Sequence, residues 1–412
     1  MYNREEALEY HKQNEGKLAI TCKTRLTSKK DLTLAYSPGV AEPCLEIYKE
    51  YDTIYDYTSK GNFVAVITNG TSVLGLGNLG APSSLPVMEG KSVLFKKFAG
   101  LDAFPICIDT KDVDKLIEIV SNIETSFGGI NLEDIKAPEC FEVEEKLKKV
   151  SNIPVFHDDQ HGTAVVSVAC LINALKIVNK DFSNIKIIIN GSGAAGIAIA
   201  KLLIAMGASY IILCDTKGAI YTGSPNCNNI YKEEIAKVTN FKKESGLLSD
   251  VIKNSDVFIG VSVGNCVTKE MVRSMKKDPI VLALANPIPE IMPEDAFDAG
   301  AKVVCTGRSD MANQVNNVLA FPGIFRGALD VRAKDINYEM EIAASFAIAG
   351  IIPENELSPD YVIPDVFDDR VAPNVAKAVA EAAIKSGVAR KDSITPEMVY
   401  EHTSMLLRRS EQ

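Results

Sequence analysis

The sequence has no tryptophan, only four histidines and no CxxC motif among its nine cysteines. Closely spaced cysteine and histidine pairs are the usual ligands of structural zinc, so their absence argues against a zinc-stabilised fold. The cysteines are scattered, and several lie within apolar, strand-like runs, as Cys107 and Cys214 do. This distribution indicates reduced thiols packed in a cytoplasmic protein.

The chain also lacks positive net charge and long apolar runs. Its 44 lysines and arginines against 54 aspartates and glutamates give a net charge of −10, which argues against nucleic acid or an anionic membrane as a partner. The longest apolar runs, such as the one around 64–67, fall short of the ~20 residues that a membrane span needs. The first residues are polar and charged, unlike the apolar core of a signal peptide.

What remains is typical of a globular enzyme with two or three domains. Apolar residues make up 46% of the 412 residues, and charged residues 24%. Strand-like runs alternate with helical patterns, including an amphipathic helix over 111–129 and a long, mostly buried helix over 162–180. This alternation predicts the α/β class, with an N-terminal α/β domain, a Rossmann-like doubly wound nucleotide-binding domain and a helical C-terminal tail. We expect the boundaries to divide the chain into 1–158, 159–385 and 386–412, with the tail packing back on the first domain.

The pattern GxGxxG occurs twice, at 75–80 and at 191–196. A dinucleotide loop needs a strand before it, a helix starting inside it and an acidic residue about 20 positions further on. The copy at 191–196 meets all three conditions, because strand 185–190 precedes it, a helix follows, and Asp215 stands where the ribose-binding acid is required. The predicted pyrophosphate loop consists of Gly191, Ser192, Gly193, Ala194, Ala195 and Gly196.

The copy at 75–80 is followed by Pro82 and Pro86, which we expect to interrupt any helix. We therefore interpret it as a tight glycine bend that lines a pocket. Asp215 favours NAD over NADP, since a carboxylate repels a 2′-phosphate. The neighbouring Lys217 could hold that phosphate, so the cofactor preference stays open.

Two pairs of adjacent carboxylates flank residue 150: Glu133-Asp134 and Asp158-Asp159. A single pair in a turn is usually a solvated charge. The second pair follows the apolar run 153–156, where consecutive carboxylates need a compensating positive charge. Mg²⁺ and Mn²⁺ prefer such oxygen ligands.

His157 and His161 suggest zinc as an alternative, but they stand among acids rather than thiolates, which favours the harder cations. A hard cation beside a nicotinamide site indicates oxidation of a hydroxy acid whose oxygens the metal can hold.

Eight segments extend this interpretation over nearly the whole chain: AYSPGVA, GLGNLG, MEGKSVLFKKFAGLDAFPICID, LEDIKAPECF, VFHDDQHGTA, NGSGAAG, ALANP and NQVNNVLAFPGIFRGALD. In this order they resemble the malic enzymes in their compact prokaryotic-type form. The resemblance implies oxidative decarboxylation of malate to pyruvate and CO₂ with NAD or NADP and Mg²⁺ or Mn²⁺, and decarboxylation of oxaloacetate. It also implies a homodimer or larger homo-oligomer, in which subunits could share a site.

Matched residue by residue, the resemblance implies a role for each site residue. The metal ligands it implies are Glu133, Asp134 and Asp159. Lys91 matches the general base and binds substrate, Asp158 matches the acid that orients this lysine, and Tyr36 matches the general acid. Asn286 and Asn317 match positions near the nicotinamide and the substrate carboxylate.

One departure concerns the substrate carboxylate, which the large eukaryotic-type enzymes grip with an arginine just before their LGLG segment. Here Ser72 and Val73 precede that segment, so we expect anchoring by Asn286, Asn317 and the metal. We also expect a nearby cation to depress the pKa of Lys91, as a general base requires.

The alternative functions share this fold and differ in the cofactor used or in the product released. They are an NADP-specific enzyme, a malolactic-type enzyme that retains NAD and releases lactate, and a lyase that only decarboxylates oxaloacetate. A non-catalytic nucleotide sensor would be expected to lack Lys91, Tyr36 or the metal acids, and all are present.

Overall fold

Two separate sheets organise the protein, whose computed structural model describes residues 3–391 and 393–410. The strands of the first sheet are β1 (Phe63–Thr68), β2 (Asp102–Cys107), β3 (Gly129–Leu132) and β4 (Val155–His157). They pair in parallel in the order β2-β1-β3-β4. The helices before and between them are α1 (Arg4–Gln13), α2 (Lys29–Ala35), α3 (Ala41–Lys49), α4 (Ile54–Tyr57), α5 (Ala81–Ala99), α6 (Val113–Ile123) and α7 (Glu139–Val150).

The second sheet has the doubly wound arrangement that binds dinucleotides. Its strands are β5 (Lys186–Asn190), β6 (Tyr210–Asp215), β7 (Gly218–Ala219), β8 (Val257–Gly260), β9 (Ile280–Ala283) and β10 (Val303–Thr306). They pair in the order β10-β9-β8-β5-β6-β7, and β7 is antiparallel to β6. The chain leaves β5 to form β6 on one side and returns to form β8 on the other, so a crevice opens at the end of β5. The predicted α/β class and Rossmann-like sheet are confirmed.

The remaining helices surround this sheet and continue into the C-terminal region. They are α8 (Asp158–Val178), α9 (Ala194–Ala205), α10 (Ile230–Val238), α11 (Leu248–Val251), α12 (Lys269–Arg273), α13 (Pro293–Asp298), α14 (Phe321–Asp330), α15 (Tyr338–Ala349), α16 (Val371–Lys385) and α17 (Pro396–Ser410). Helix α17 packs on α16 and on α5, so the C-terminal region lies against the first sheet's helical layer. The boundaries at 158 and 385 stay predictions.

Helix α8 begins directly after β4, four residues earlier than the sequence pattern predicts, so Asp158 and Asp159 form its first turn. The positive end of the helix dipole stabilises carboxylates at that position. By length and apolar composition α8 is the one described helix that could cross a membrane. It packs against α9 and α15 with most of its side chains buried, and this burial accounts for its apolar composition.

Helix α5 corrects the expectation that Pro82 and Pro86 would interrupt a helix, because it runs unbroken from Ala81 to Ala99. Pro82 lies in the first turn, where a backbone N–H has no partner within the helix. Pro86 removes one hydrogen bond near the start of a 19-residue helix. This helix carries Lys91, the predicted general base.

Helices α14 and α16 approach closely through glycines of α14. A Cβ added to Gly327 would collide with the backbone oxygen of Ala376 and lie 3.0 Å from the Cβ of Val379. By contrast, Gly90 in α5 has open space around an added Cβ. The close helix contact therefore depends on the absence of a side chain at Gly327.

We predict that Gly327→Ala lowers the free energy of unfolding by about 1–3 kcal/mol through overpacking. The matched control, Gly90→Ala, should raise it by up to about 1 kcal/mol, because alanine favours the helix and meets nothing. Urea denaturation followed by circular dichroism measures both. Equal effects of the two substitutions would contradict the packing argument.

Candidate active site

The two acidic pairs meet because their strands are neighbours. Strands β3 and β4 pair in parallel with Leu132 opposite His157, so Glu133-Asp134 and Asp158-Asp159 leave the same edge of the sheet. The backbone N–H of Asp134 donates to Oδ2 of Asp159 at 2.8 Å. The structure thus brings together all four acids that the sequence singled out.

Lys91 lies among these acids with its side chain only 10% exposed. Its Nζ is 2.5 Å from Oδ2 of Asp158 and 3.1 Å from Oε2 of Glu133. The ring of Phe321 lies beneath it, 4.1 Å from Nζ to the ring centroid, and Phe95 supports that ring edge-on. Sequence reasoning missed Phe321, because it resembles any core aromatic at the start of a helix.

The surroundings of Lys91 raise its pKa. Burial alone lowers the pKa of this amine, but the negative charges of Asp158 and Glu133 outweigh burial. The expected depression of the Lys91 pKa concerns an amine with a cation beside it and stays a prediction, because the chain itself surrounds the amine with carboxylates. A neutral Lys91 needs additional positive charge at the acids.

Asp158 links Lys91 to Asn317, which follows the last strand of the second sheet in the chain. Its side chain is fully buried, and its Oδ2 accepts from Nδ2 of Asn317 at 2.9 Å. The hydroxyl of Thr163 donates to Oδ1 of Asn317 at 3.3 Å. A Cβ at Gly162 would collide with Oδ1 of Asp158, so the buried carboxylate requires glycine there. Asn317 thus shares the Asp158 oxygen that Lys91 contacts, and its predicted place near the nicotinamide and the substrate carboxylate stays a prediction.

The acids carry more negative charge than Lys91 balances. Burial raises the pKa of Glu133 well above its ordinary value, and the charges of neighbouring acids add to it despite Lys91. Burial and the charge of Asp159 raise the pKa of Asp134 to about 7. Oδ2 of Asp134 is buried without a hydrogen-bond partner. An unpaired buried carboxylate oxygen among excess negative charge fits a divalent cation.

The ligand set is not preformed. Among residues 3–391 and 393–410, no three side chains of His, Cys, Asp or Glu converge as metal ligands. Glu133 is held by Lys91 and by Nδ2 of Asn131, and Asp159 by the Asp134 N–H. Side-chain movement would therefore have to accompany cation binding.

The first glycine pattern forms a bend fastened to these acids. The N–H of Leu74 donates to Oδ1 of Asp134 at 3.4 Å, and the N–H of Ser72 donates to the Asp134 carbonyl at 3.0 Å. Gly75 has a φ of 74°, which glycine adopts without strain. A Cβ at Gly75 would lie 3.9 Å from the carbonyl oxygen of Asn286. The bend thus extends from the acids to the loop after β9.

The second glycine pattern has the geometry of a dinucleotide loop. Gly191 follows β5 directly with a φ of 128°, and a Cβ there would lie 2.6 Å from the carbonyl oxygen of Val261, after β8. Helix α9 begins at Ala194, and an added Cβ at Gly196 would collide with the Gly191 oxygen. Ser192 is buried, while Gly193 caps α9 with open space around it. Free backbone N–H groups at this helix start suit a pyrophosphate.

Asp215 ends β6, and both of its oxygens have partners. Oδ1 accepts from the N–H of Lys217 at 2.8 Å, and Oδ2 lies 2.8 Å from Nζ of Lys232. Lys232 belongs to α10, and sequence reasoning missed it because a lysine in a polar helix carries no distinguishing signal. The positive charge of Lys232 balances the negative charge of Asp215, so the place where the ribose would bind is neutral rather than negative.

Two predicted residues, Asn286 and Tyr36, are exposed. Asn286 is exposed after β9, with its amide close to where a Cβ of Gly307 would be. Tyr36 ends α2 and is 69% exposed. Within the described part of the chain, no hydrogen bond or ring contact joins Tyr36 to the acids or to Lys91. Its catalytic role stays a prediction.

The histidines beside the acids are engaged by other side chains. His161 contacts Glu144 and Glu341, each at 2.9 Å, and Nδ1 of His157 contacts Gln160 at 2.8 Å. Burial disfavours the charged form of His161, but the two glutamates outweigh burial and raise its pKa to about 9. A protonated His161 is unsuited to zinc.

Comparison with known proteins finds malic enzymes among the similar sequences and solved structures. The chain is 64% identical to the bifunctional malic/malolactic enzyme of Bacillus subtilis over 98% of both chains. It is 55% identical to a probable NADP-dependent malic enzyme of Rickettsia prowazekii over 94% of this chain, but spans only 52% of that relative. The crystal structure of the NAD-dependent malic enzyme of Thermotoga maritima superimposes with a TM-score of 0.88 at 47% identity, over 91% of this chain and 98% of that one.

Two family models match consecutive parts of the sequence. The N-terminal domain of malic enzymes matches residues 12–148, and their NAD-binding domain matches residues 160–384. These ranges contain Lys91, Glu133, Asp134 and the second glycine loop, while Asp158 and Asp159 lie between the two ranges. The chain belongs to the malic enzyme family.

Proposed function

We propose that this protein oxidises (S)-malate and decarboxylates it, so that malate and NAD(P)⁺ give pyruvate, CO₂ and NAD(P)H. The observation that carries the proposal is Lys91, held between Asp158 and Glu133 with Asn317 on the same carboxylate. This arrangement supports the proposal because it would supply a proton acceptor, acids for a cation and an amide donor at one place. The family supports the substrate.

Different residues of the chain carry out the two proton transfers. Nζ of Lys91, when neutral, accepts the proton of the malate C2 hydroxyl, and Asp158 at 2.5 Å fixes the direction of the amine. Asn317 and Asn286 donate to the substrate carboxylate. Tyr36 protonates C3 after CO₂ leaves.

We propose that Glu133, Asp134 and Asp159 hold Mg²⁺ or Mn²⁺. When bound, the cation supplies Lewis acidity to the oxygens of the substrate and the nicotinamide supplies a hydride acceptor. The positive charge would also offset the carboxylates that raise the Lys91 pKa. The buried, unpartnered Oδ2 of Asp134 supports this site.

A malolactic reaction is the second candidate, since the Bacillus subtilis relative is named for both activities. It would release lactate and CO₂ with no net change in NAD. The same acids, lysine and nucleotide loop would serve both reactions, so analysis of the products distinguishes the two.

We expect malate, NAD and Mn²⁺ to give NADH, CO₂ and pyruvate in equal amounts, measured by absorbance and product chromatography. Asp159→Ala should lower turnover by more than about 100-fold, because it removes a metal ligand. Its NADH affinity, measured by fluorescence titration, should stay unchanged.

The control for that experiment is Asp109→Ala, at an exposed aspartate outside the cluster. Lactate without NADH would assign the malolactic reaction instead. Full turnover by Asp159→Ala would exclude this residue as a metal ligand.

We propose that NAD is preferred but NADP is accepted. Asp215 accepts from the ribose hydroxyls, while Nζ of Lys232, 2.8 Å from that carboxylate, is positioned to meet a 2′-phosphate. Both NAD-dependent and NADP-dependent relatives exist in the family.

Lys232→Gln should raise the KM for NADP by about 10-fold or more, the effect of losing one charge-assisted hydrogen bond, and change the KM for NAD little. The exposed Lys237→Gln on the same helix is the matched control. Steady-state kinetics with both cofactors measure the effect. Equal changes in the two KM values would contradict a role for Lys232 in phosphate recognition.

We propose that the protein is a homodimer whose subunits exchange their N-terminal segments. Helices α1, α2 and α3 contain no buried residue. Large apolar side chains stand exposed along this segment: Leu8, Leu32, Leu34, Leu45 and Tyr48. A continuous exposed apolar surface of this kind marks an interface. A second copy covering it would carry Tyr36 toward the partner's Lys91.

Complementation between inactive variants tests a shared site. Coexpressed Tyr36→Phe and Lys91→Ala chains should recover about one quarter of wild-type activity, because random pairing gives half mixed dimers with one intact site each. Each variant alone should be inactive. Light scattering verifies the dimers, and mixed dimers without activity would place both residues of a site in one chain.

A further inference from the structure

A buried glutamate joins two loops of the second sheet at the dinucleotide crevice. Glu290 follows β9 and is fully buried. Its Oε1 accepts from the backbone N–H of Ser262, after β8, at 3.1 Å, and its Oε2 accepts from the backbone N–H of Ala285, after β9, at 3.0 Å. A Cβ at Gly260, the last residue of β8, would lie 2.3 Å from its Cδ. One side chain therefore sets the distance between the loops that follow β8 and β9.

Glu290 depends on these loops for its polar partners. Burial raises its pKa, and only hydrogen bonds from backbone N–H groups, among them those of Ala285 and Ser262, oppose the rise. In the described part of the chain, no lysine, arginine or histidine forms an ion pair with it. A carboxyl group buried without a counter-ion is costly unless its oxygens are hydrogen-bonded. The two bonds therefore hold the side chain and the loops together.

The connection continues to the glycine loop. Asn190 ends β5 directly before Gly191, and its Nδ2 donates to Oγ of Ser262 at 2.8 Å. On the other side, Ala285 directly precedes Asn286, which is predicted to lie near the nicotinamide. Hydrogen bonds thus join the ends of β5, β8 and β9, which are neighbours in the sheet.

The strand order indicates which half of a dinucleotide these loops would meet. Asp215, the predicted ribose ligand, ends β6 on one side of β5, while β8 and β9 lie on the other side. A dinucleotide lies across the carboxyl ends of such strands, with its pyrophosphate at the first glycine-rich turn. Its nicotinamide half would therefore extend over β8 and β9, where Val263 and Ile288 expose apolar side chains.

We propose that Glu290 is a positioning residue, which holds the loops after β8 and β9 in the arrangement that receives the nicotinamide. Because it is fully buried, it acts through the backbone of Ser262 and Ala285 rather than by touching the cofactor. The bond to Ala285 also places the neighbouring Asn286. This inference rests on the nucleotide site proposed above.

Paired calorimetric titrations with NADH and ADP-ribose test this role without metal or turnover. ADP-ribose lacks the nicotinamide but has the same pyrophosphate, and the reduced ring adds no charge. In Glu290→Gln, the NH₂ group cannot accept one of the two N–H bonds. We expect NADH to bind about 10-fold more weakly and ADP-ribose affinity to change less than about 2-fold. The exposed Glu294→Gln on α13 is the control and should leave both affinities unchanged.

The two ligands separate a positioning role from a general loss of structure. Equal losses for NADH and ADP-ribose, or no loss for either, would overturn the role of Glu290. A wild-type protein that binds neither ligand would instead remove the nucleotide site itself. Should circular dichroism show Glu290→Gln unfolded, Glu290→Asp is the second variant, because it withdraws the carboxylate by one methylene from the two N–H groups. We expect the same difference between the two ligands.

Hydrogen exchange on the wild-type protein needs no variant. Followed by mass spectrometry, NADH should slow amide exchange in 261–266 and 284–290 beyond the effect of ADP-ribose, because only NADH would cover these loops. Both ligands should slow exchange in 191–196. Equal protection of the first two segments by NADH and ADP-ribose would contradict the place assigned to the nicotinamide, and with it the proposal.

Discussion

The buried ion pair between Lys91 and Asp158 is the interaction on which the site depends. It joins α5 of the first sheet's layer to the first turn of α8, with Nζ and Oδ2 2.5 Å apart and nearly all water excluded. Four carboxylates in so small a volume repel one another, three of them (Glu133, Asp134 and Asp158) are buried, and one lysine only partly offsets their charge. Burial and the remaining negative charge together raise the pKa of Asp134, and the same charge supports the proposed place for a cation.

The parallel pairing of β3 with β4 makes that concentration of charge possible. Parallel strands deliver their carboxyl ends to one edge, so residues separated by a helix in sequence become neighbours. The doubly wound sheet uses the same geometry at β5, where Gly191 approaches Val261. The acids proposed to hold a cation and the glycine loop of the NAD-binding domain therefore both lie at the ends of parallel strands.

The sequence predicted those parts of the site that local chemistry specifies. The glycine loop at 191–196 and the acids at 133–134 and 158–159 lie directly after apolar strands, and the amino-acid sequence alone shows that context. Lys91 and Tyr36 required the family resemblance. Phe321 escaped because its contact with Lys91 joins two helices distant in sequence, and Lys232 escaped because a lysine in a polar helix carries no distinguishing signal. The unbroken α5 was missed because prolines near a helix start cost less than prolines in its middle.

Charge pairing reconciles an acidic chain with anionic ligands. A net charge of −10 opposes the approach of a dicarboxylate or a dinucleotide. At both places where such a ligand would bind, a lysine lies within 2.8 Å of the relevant acid: Lys91 at Asp158 and Lys232 at Asp215. Each lysine balances the charge of its own acid, and the cation proposed at Glu133, Asp134 and Asp159 would balance the negative charge that Lys91 leaves. With both in place, an anionic ligand would meet hydrogen-bonding groups rather than repulsion.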